Sequence, residues 1–177
     1  MIEVEAKARI DDVEAFRQKA KTRGRFVGKE KKVDDYYTLE CLDHYPQKSL
    51  RIRKRLGHYE INFKHRLFYD RGIHVKREVE FVVKDIKGFL TLISDFGFKK
   101  WLRKEKRTEL YELKKNFHIE LNMVEGLGWF VEVEYLCSAQ EVQKAKKEVV
   151  NIIGLLGIPR KDWIGEGYTK LLWDKRR

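Results

Sequence analysis

The sequence predicts an α+β fold: an antiparallel β-barrel or strongly curved sheet with helices packed outside. Three features carry this. Residues 1–10 alternate apolar Ile2, Val4, Ala6, Ala8 and Ile10 with charged Glu3, Glu5, Lys7 and Arg9, which gives a strand one apolar and one charged face. Residues 50–55, 77–81 and 130–135 repeat the alternation, with basic rungs in one segment and acidic rungs in the others. Segments of this strand type also outnumber helical ones. One charged face by itself would ordinarily meet water. Complementary charged faces on several strands point instead to a shared polar lumen.

The elements follow in order. After the first strand, Asp11 or Asp12 caps a helix with Val13, Phe16 and Ala20 on one side, closed at Gly24. A basic entry from residue 28 leads to a strand through 33–37, and Asp43, His44 and Pro46 mark a loop. Strands over 49–56 and 59–66 flank Gly57-His58 as a hairpin, and a turn at Asp70-Arg71-Gly72 precedes a strand through 75–83. Asp85 then caps a helix bearing Phe89, Leu92, Ile93 and Phe96 that ends at Gly97, before a basic strand over 101–113. Helix, glycine, aromatic, basic strand thus occurs twice, a weak internal repeat that implies similar halves over 1–84 and 85–177. Strands over 116–124 and 129–135 flank Gly126-Leu127-Gly128. Ser138 and Glu141 form a capping box for a helix striped by Val142, Ala145, Val149, Ile152, Ile153 and Leu156, stopped at Gly157-Ile158-Pro159. The segment 163–173 is short and aromatic.

At 177 residues, with 42% hydrophobic and 38% charged residues, the chain buries a sizeable core and is expected to form one domain over 1–177. Two widely separated cysteines, Cys41 and Cys137, match neither a metal site nor a disulfide framework, so a reduced, cytoplasmic protein is expected. No apolar run reaches membrane-spanning length, and no charged-then-apolar leader is expected ahead of the first strand. Dense Lys, Glu and Arg with few Cys and Met suits a thermophilic source. The net charge of +11 attracts polyanions without choosing among nucleic acid, anionic membrane and polyphosphate.

Acids facing a lumen repel one another unless cations balance them. Glu3, Glu5, Glu80, Glu132 and Glu134, with Glu120 as a sixth, are hard oxygen donors suited to Mg²⁺ or Mn²⁺ and unsuited to zinc. The basic set is Lys7, Arg51, Arg53, Lys64, Arg107 and Lys170. Arg forks clamp phosphate oxygens and Lys acts as a mobile point charge. Acids and bases lining one lumen suit a metal-bound polyphosphate, and phosphoryl or nucleotidyl transfer needs mainly positioning and charge, with no Ser, Cys or His nucleophile. The five histidines are scattered without ligand spacing.

Glu3-x-Glu5-x-Lys7, Arg51-x-Arg53, and Gly126-Leu127-Gly128 leading into Glu132-x-Glu134 resemble the CYTH superfamily, the triphosphate tunnel metalloenzymes, over almost the whole chain. The resemblance implies an eight-stranded antiparallel tunnel from two halves, divalent-metal dependence, and a triphosphate lying across the basic rungs. By position Glu3, Glu5, Glu132 and Glu134 match the metal-side acids, and Lys7, Arg51, Arg53, Lys64 and Arg107 match the phosphate-side bases. Glu80 matches a further lumen acid and Lys170 a short terminal motif, so Lys7, Glu80 and Lys170 are the candidate catalytic residues. Asn122 stands where the family carries an Asp; either its carbonyl coordinates the metal without bringing charge, which weakens one metal site, or Glu120 one rung away takes the role, so both join the candidate metal ligands. Arg103 shares a face with Arg107, so both are candidate phosphate contacts.

The stretch from Gly126 and the chain length look most like the class IV adenylate cyclases, which convert ATP to cyclic AMP and pyrophosphate. The alternative is a triphosphatase for inorganic tripolyphosphate, thiamine triphosphate or a nucleoside triphosphate. A non-catalytic module binding RNA or another polyanion through the +11 charge is the reading from a different class; it predicts steep salt dependence and no need for Mg²⁺. The expected partner is a small-molecule triphosphate. Neither a nucleic acid nor a membrane is expected, and a homodimer is a candidate assembly.

Overall fold

The computed structural model describes residues 1–176 and, for Arg66, the main chain alone. The strands are β1 (Ile2–Arg9), β2 (Arg25–Thr38), β3 (Leu50–Arg55), β4 (His58–Asp70), β5 (Ile73–Val83), β6 (Lys99–Lys114), β7 (Phe117–Val124) and β8 (Gly128–Cys137). They close into one antiparallel barrel in the order β1-β5-β4-β3-β2-β6-β7-β8. The helices α1 (Val13–Lys21), α2 (Ile86–Asp95), α3 (Val142–Leu155) and α4 (Tyr168–Lys175) lie outside or across one end. The eight-stranded α+β barrel expected from the sequence is therefore what the chain forms. In this circle β1 and β2 are four places apart whichever way one counts, so they stand on opposite walls.

The strands run longer than the alternation alone suggested. β2 begins at Arg25 because β6 pairs with it from Arg25↔Glu112 to Thr38↔Lys99, with register shifts at Phe26/Gly28 and Tyr36/Tyr37. Those bulges bend the two longest strands around the lumen. β4 continues to Asp70 against β5. The closing aromatic segment follows a short 3₁₀ turn at Arg160–Asp162 and runs into α4.

β1 is buried on both faces, which explains its odd composition. Its apolar residues Val4, Ala6 and Ala8 are fully covered in the main core, together with Val131 and Val133 of β8 and Ala145, Val149 and Ile153 of α3. The Ser138 capping box is present, with a 3₁₀ turn at Ala139–Glu141 before α3. A second core packs Ile93 of α2 against Ile52 and Ile61. Across one end of the barrel, Tyr168 of α4 packs on Val124 and Phe130. The β7–β8 turn at that end needs glycine: Gly126 and Gly128 have φ of 80° and 97°. Both cysteines are free, and no described helix is long and apolar enough to cross a membrane.

The Asp12 side chain caps α1 by accepting from the Ala15 N–H, and Arg17 ties this helix to the barrel's outer wall. Arg17 donates Nε and Nη2 to the two Glu109 oxygens, at 2.8 and 2.9 Å. That fork holds the Glu109 carboxyl down at about 2. The unfolded chain takes up the proton first, near 4.5, so this contribution is complete above that pH and disappears as pH falls towards 2. Glu109→Gln is expected to lose about 1–2 kcal/mol at pH 7. Urea titrations at several pH values should also show a shallower acid limb between those limits; an unchanged limb would place the fork's contribution elsewhere.

Candidate active site in the barrel lumen

Alternation along β1, β5 and β8 turns Glu3, Glu5, Glu78 and Glu134 into the barrel. Glu3, Glu5 and Glu134 each offer an oxygen, all within 4.8 Å of one another. Burial raises the Glu3 carboxyl, against the pull of Lys64 and Lys76. Burial, and then the neighbouring Glu3, push Glu134 well above the usual carboxylate range. Glu5 goes the other way: burial is outweighed by Lys7 and Lys76, which hold it well below. This all-oxygen trio suits a hard divalent ion, whose octahedral ligand oxygens lie about 3–4 Å apart, so the three acids would draw in around it. Zinc would call for nitrogen or sulfur ligands.

Glu120, Asn122 and Glu132 form a second group, on β7 and β8, already engaged with bases. Lys106 reaches Glu120 and Glu132 at 2.8 and 3.5 Å, and Lys32 reaches Glu120 at 2.9 Å. Lys7 bridges Glu5 and Glu132 at 2.9 and 3.1 Å, linking the two acid groups. Asn122 donates its amide to Glu120 and Glu132, at 3.0 and 2.7 Å, while its carbonyl accepts from Thr108 at 2.6 Å. In this arrangement Asn122 is a donor that holds two carboxylates together.

The wall opposite β1 is basic. Arg53 forks onto the fully buried Asp34, at 2.6 and 2.9 Å, and Lys104 joins the same carboxylate at 3.1 Å. Burial would raise Asp34, but Lys104 and Arg53 hold it far below its ordinary value. Arg51 meets Glu80 at 3.3 Å, beside Asn62, and Lys64 bonds both Glu3 and Glu78. Of the sequence-predicted residues, Glu3, Glu5, Lys7, Arg51, Arg53, Lys64, Glu120, Asn122, Glu132 and Glu134 are therefore brought together, with Glu80 about half exposed beside Arg51.

Three others are not. Arg103 and Arg107 point outward: Arg103 is about half exposed beside Asp35 and Glu105, and Arg107 is exposed. Their neighbours Lys104 and Lys106 face the lumen instead. The reason is register, since Asp34↔Lys104 and Lys32↔Lys106 pair across β2–β6, so the even-numbered residues share the inward face. Lys170 is turned towards Asp174 on its own helix, with its ammonium 5.8 Å from the Tyr45 ring. The residue of α4 that meets the lumen is Tyr168, whose buried ring lies 4.9 Å from the Lys7 ammonium and 5.8 and 5.9 Å from those of Lys104 and Lys106.

Lys32, Asp34, Lys76, Glu78, Lys104, Lys106 and Tyr168 were missing from the sequence-predicted set. Two-residue spacing back from Glu80 leads to Glu78 and Lys76, so those two were within reach. The run through β2 and β6 is charged on both faces and offered no such signal.

Comparison with known proteins agrees with this geometry. A Methanocaldococcus jannaschii protein named "putative adenylate cyclase" is 29% identical over 97% of this chain and 98% of its own. A solved Pyrococcus horikoshii structure is 30% identical, covers 96% of this chain and 98% of its own, and superposes with a TM-score of 0.79. A Hippeastrum "putative adenylyl cyclase", described as having a dominant triphosphatase activity, shares the fold at 15% identity, with a TM-score of 0.63 over 98% of this chain and 95% of its own. The family model for the CYTH domain matches residues 1–168, and with the closed eight-stranded barrel and its charged lumen this chain belongs to the CYTH domain family.

Proposed function

We propose that this chain is a divalent-metal-dependent enzyme that processes a triphosphate inside the barrel, and that it is an adenylate cyclase of the class IV type. One observation carries the reading: the acid trio Glu3–Glu5–Glu134 shares an enclosed lumen with the bases Arg53, Lys104 and Lys106. Glu3, Glu5 and Glu134 would hold Mg²⁺ or Mn²⁺, which supplies Lewis-acid neutralisation of phosphate oxygens. Glu120, Asn122 and Glu132 extend this acid group. Lys7, Arg51, Arg53, Lys64, Lys104 and Lys106 bind the remaining phosphate charge. Asp34 fixes the Arg53 fork so that less ordering remains to be done when substrate arrives. For a cyclase the lumen orients the ribose hydroxyl against the α-phosphorus and stabilises departing pyrophosphate. The similarity to the M. jannaschii relative favours this chemistry.

Hydrolysis of tripolyphosphate, thiamine triphosphate or a nucleoside triphosphate is the second reading. It is favoured by the dense charge of the lumen, where most of the groups described are suited to phosphate or metal. Purified chain would be incubated with ATP or tripolyphosphate, with and without Mg²⁺ or Mn²⁺, and the products separated by ion exchange. Cyclic AMP with pyrophosphate supports the cyclase; orthophosphate supports the triphosphatase. No turnover with any metal removes the catalytic reading and leaves polyanion binding.

The inward face of β6 gives a sharper expectation. Lys106→Ala should lower kcat/KM at least a hundredfold, because it removes a buried charge, whereas Arg107→Ala on the outer face should change it by less than about threefold. Equal losses would contradict the placement of Lys106 as a phosphate contact.

A further inference from the structure

Two of the three acids suited to a divalent ion, Glu3 and Glu5, already hold a cation that belongs to the chain. Lys76 stands beside Glu3 in the β1–β5 register, and its ammonium reaches Glu3 Oε1 at 3.1 Å and Glu5 Oε1 at 2.5 Å. Lys7 donates to the same Glu5 oxygen. An ammonium bridging two carboxylates supplies charge to the oxygens a metal would use, and it stands in the metal's way.

Resting on the metal reading given under Proposed function, we infer that Lys76 is a tethered counter-ion that competes with the divalent metal at Glu3, Glu5 and Glu134. Three physical points support this. Glu3 and Glu5 have side chains only 1% and 5% exposed, so without a cation between them they would crowd like charges away from water. Lys76 has a flexible four-carbon stem and is 17% exposed, so it can withdraw, unlike the Arg53 fork locked on Asp34. The bonds on the acids are also unevenly shared: Lys64 is divided between Glu3 and Glu78, and Lys7 between Glu5 and Glu132, whereas Lys76 spans two members of the trio itself.

The consequence is a coupling between ligands. Metal alone must displace Lys76 and leave its ammonium without a counter-charge. Metal arriving with a triphosphate brings an anion that the released ammonium can follow. Loading therefore favours the metal–triphosphate pair over the bare metal, which keeps the empty lumen electrically balanced and the unliganded fold intact.

The test reads Mn²⁺ binding to the full chain, stripped of metal, through loss of the free-ion electron paramagnetic resonance signal, with no substrate present. Lys76→Met should bind Mn²⁺ at least tenfold more tightly than the unaltered chain. Lys76→Arg, which keeps the charge, should stay within about threefold of it. Adding Glu134→Gln to Lys76→Met should remove the gain. Lys76→Gln provides the same loss of charge if the methionine variant does not fold, with near-ultraviolet circular dichroism reporting the fold. No tightening in either neutral variant overturns the inference, as does an equal gain in Lys76→Arg. Either of those results, obtained while ATP or tripolyphosphate is still turned over, leaves the proposed activity standing. A Mn²⁺ affinity that ignores Glu134→Gln in the otherwise unaltered chain refutes the metal reading as well.

Discussion

Glu134→Gln and Glu3→Gln should each lower turnover at least about a thousandfold, equivalent to roughly 4 kcal/mol of transition-state stabilisation, without unfolding the protein. Gln keeps the shape and one oxygen of the carboxylate but removes the charge that would balance a divalent ion. The accompanying stability measurement makes the prediction specific. Glu134 lies against Glu3 and Glu5 in a buried cluster, and its carboxyl is raised well above the ordinary range by burial and by Glu3. A group with a raised carboxyl value costs stability at neutral pH, because the folded state must surrender a proton it holds more tightly than the unfolded chain does. The melting temperature of metal-free Glu134→Gln should therefore match or exceed that of the unaltered chain while activity collapses. A variant that keeps a tenth or more of its turnover would remove Glu134 from the metal-binding trio. A variant that melts well below the unaltered chain would show its role to be structural.

Asp34→Ala is expected to produce the largest loss of stability among the lumen residues. Asp34 is fully buried, receives both arms of the Arg53 fork and is bonded by Lys104. Its removal leaves two cations in a lumen that already contains Lys32 and Lys106, and takes away the carboxylate that Arg53 and Lys104 both bond. Breaking a buried pair from one side typically costs about 3–5 kcal/mol. Guanidinium unfolding should register a loss of this size near pH 7. Asp34→Asn should lie between, since the amide can still accept one bond from Arg53. The same carboxyl is held far down by Lys104 and Arg53 against the effect of burial, so its contribution is present above the ordinary aspartate range and is lost only in strong acid. A loss below about 1 kcal/mol in Asp34→Ala would mean that water or neighbouring acids compensate the two bases.

The sequence by itself determined those features that depend on a two-residue or a 3.6-residue period with unlike faces. In β1, β3 and β8 one face is apolar and the other charged, so Glu3, Glu5, Lys7, Arg51, Arg53, Glu132 and Glu134 could have only one set of neighbours on the inside. The caps at Asp12 and Asp85 and the box at Ser138–Glu141 were legible because they are local hydrogen bonds. The Gly-Leu-Gly turn was legible because its two positive φ angles favour glycine. Tertiary structure alone decided the rest. In β6 the stretch from Arg103 to Arg107 is charged at every position, so its period cannot say which face is inside; pairing with β2 chose Lys104 and Lys106. Asp34 and Lys32 were hidden for the same reason, in a strand whose two faces carry similar residues. Asn122 had to be seen among Thr108, Glu120 and Glu132 before its amide could be recognised as a donor to both acids. Tyr168 became a lumen residue only because α4 folds back over the end of the barrel. Faces follow from local alternation when the two sides differ in polarity; when both sides are charged, only the energy of pairing across the closed sheet distinguishes them.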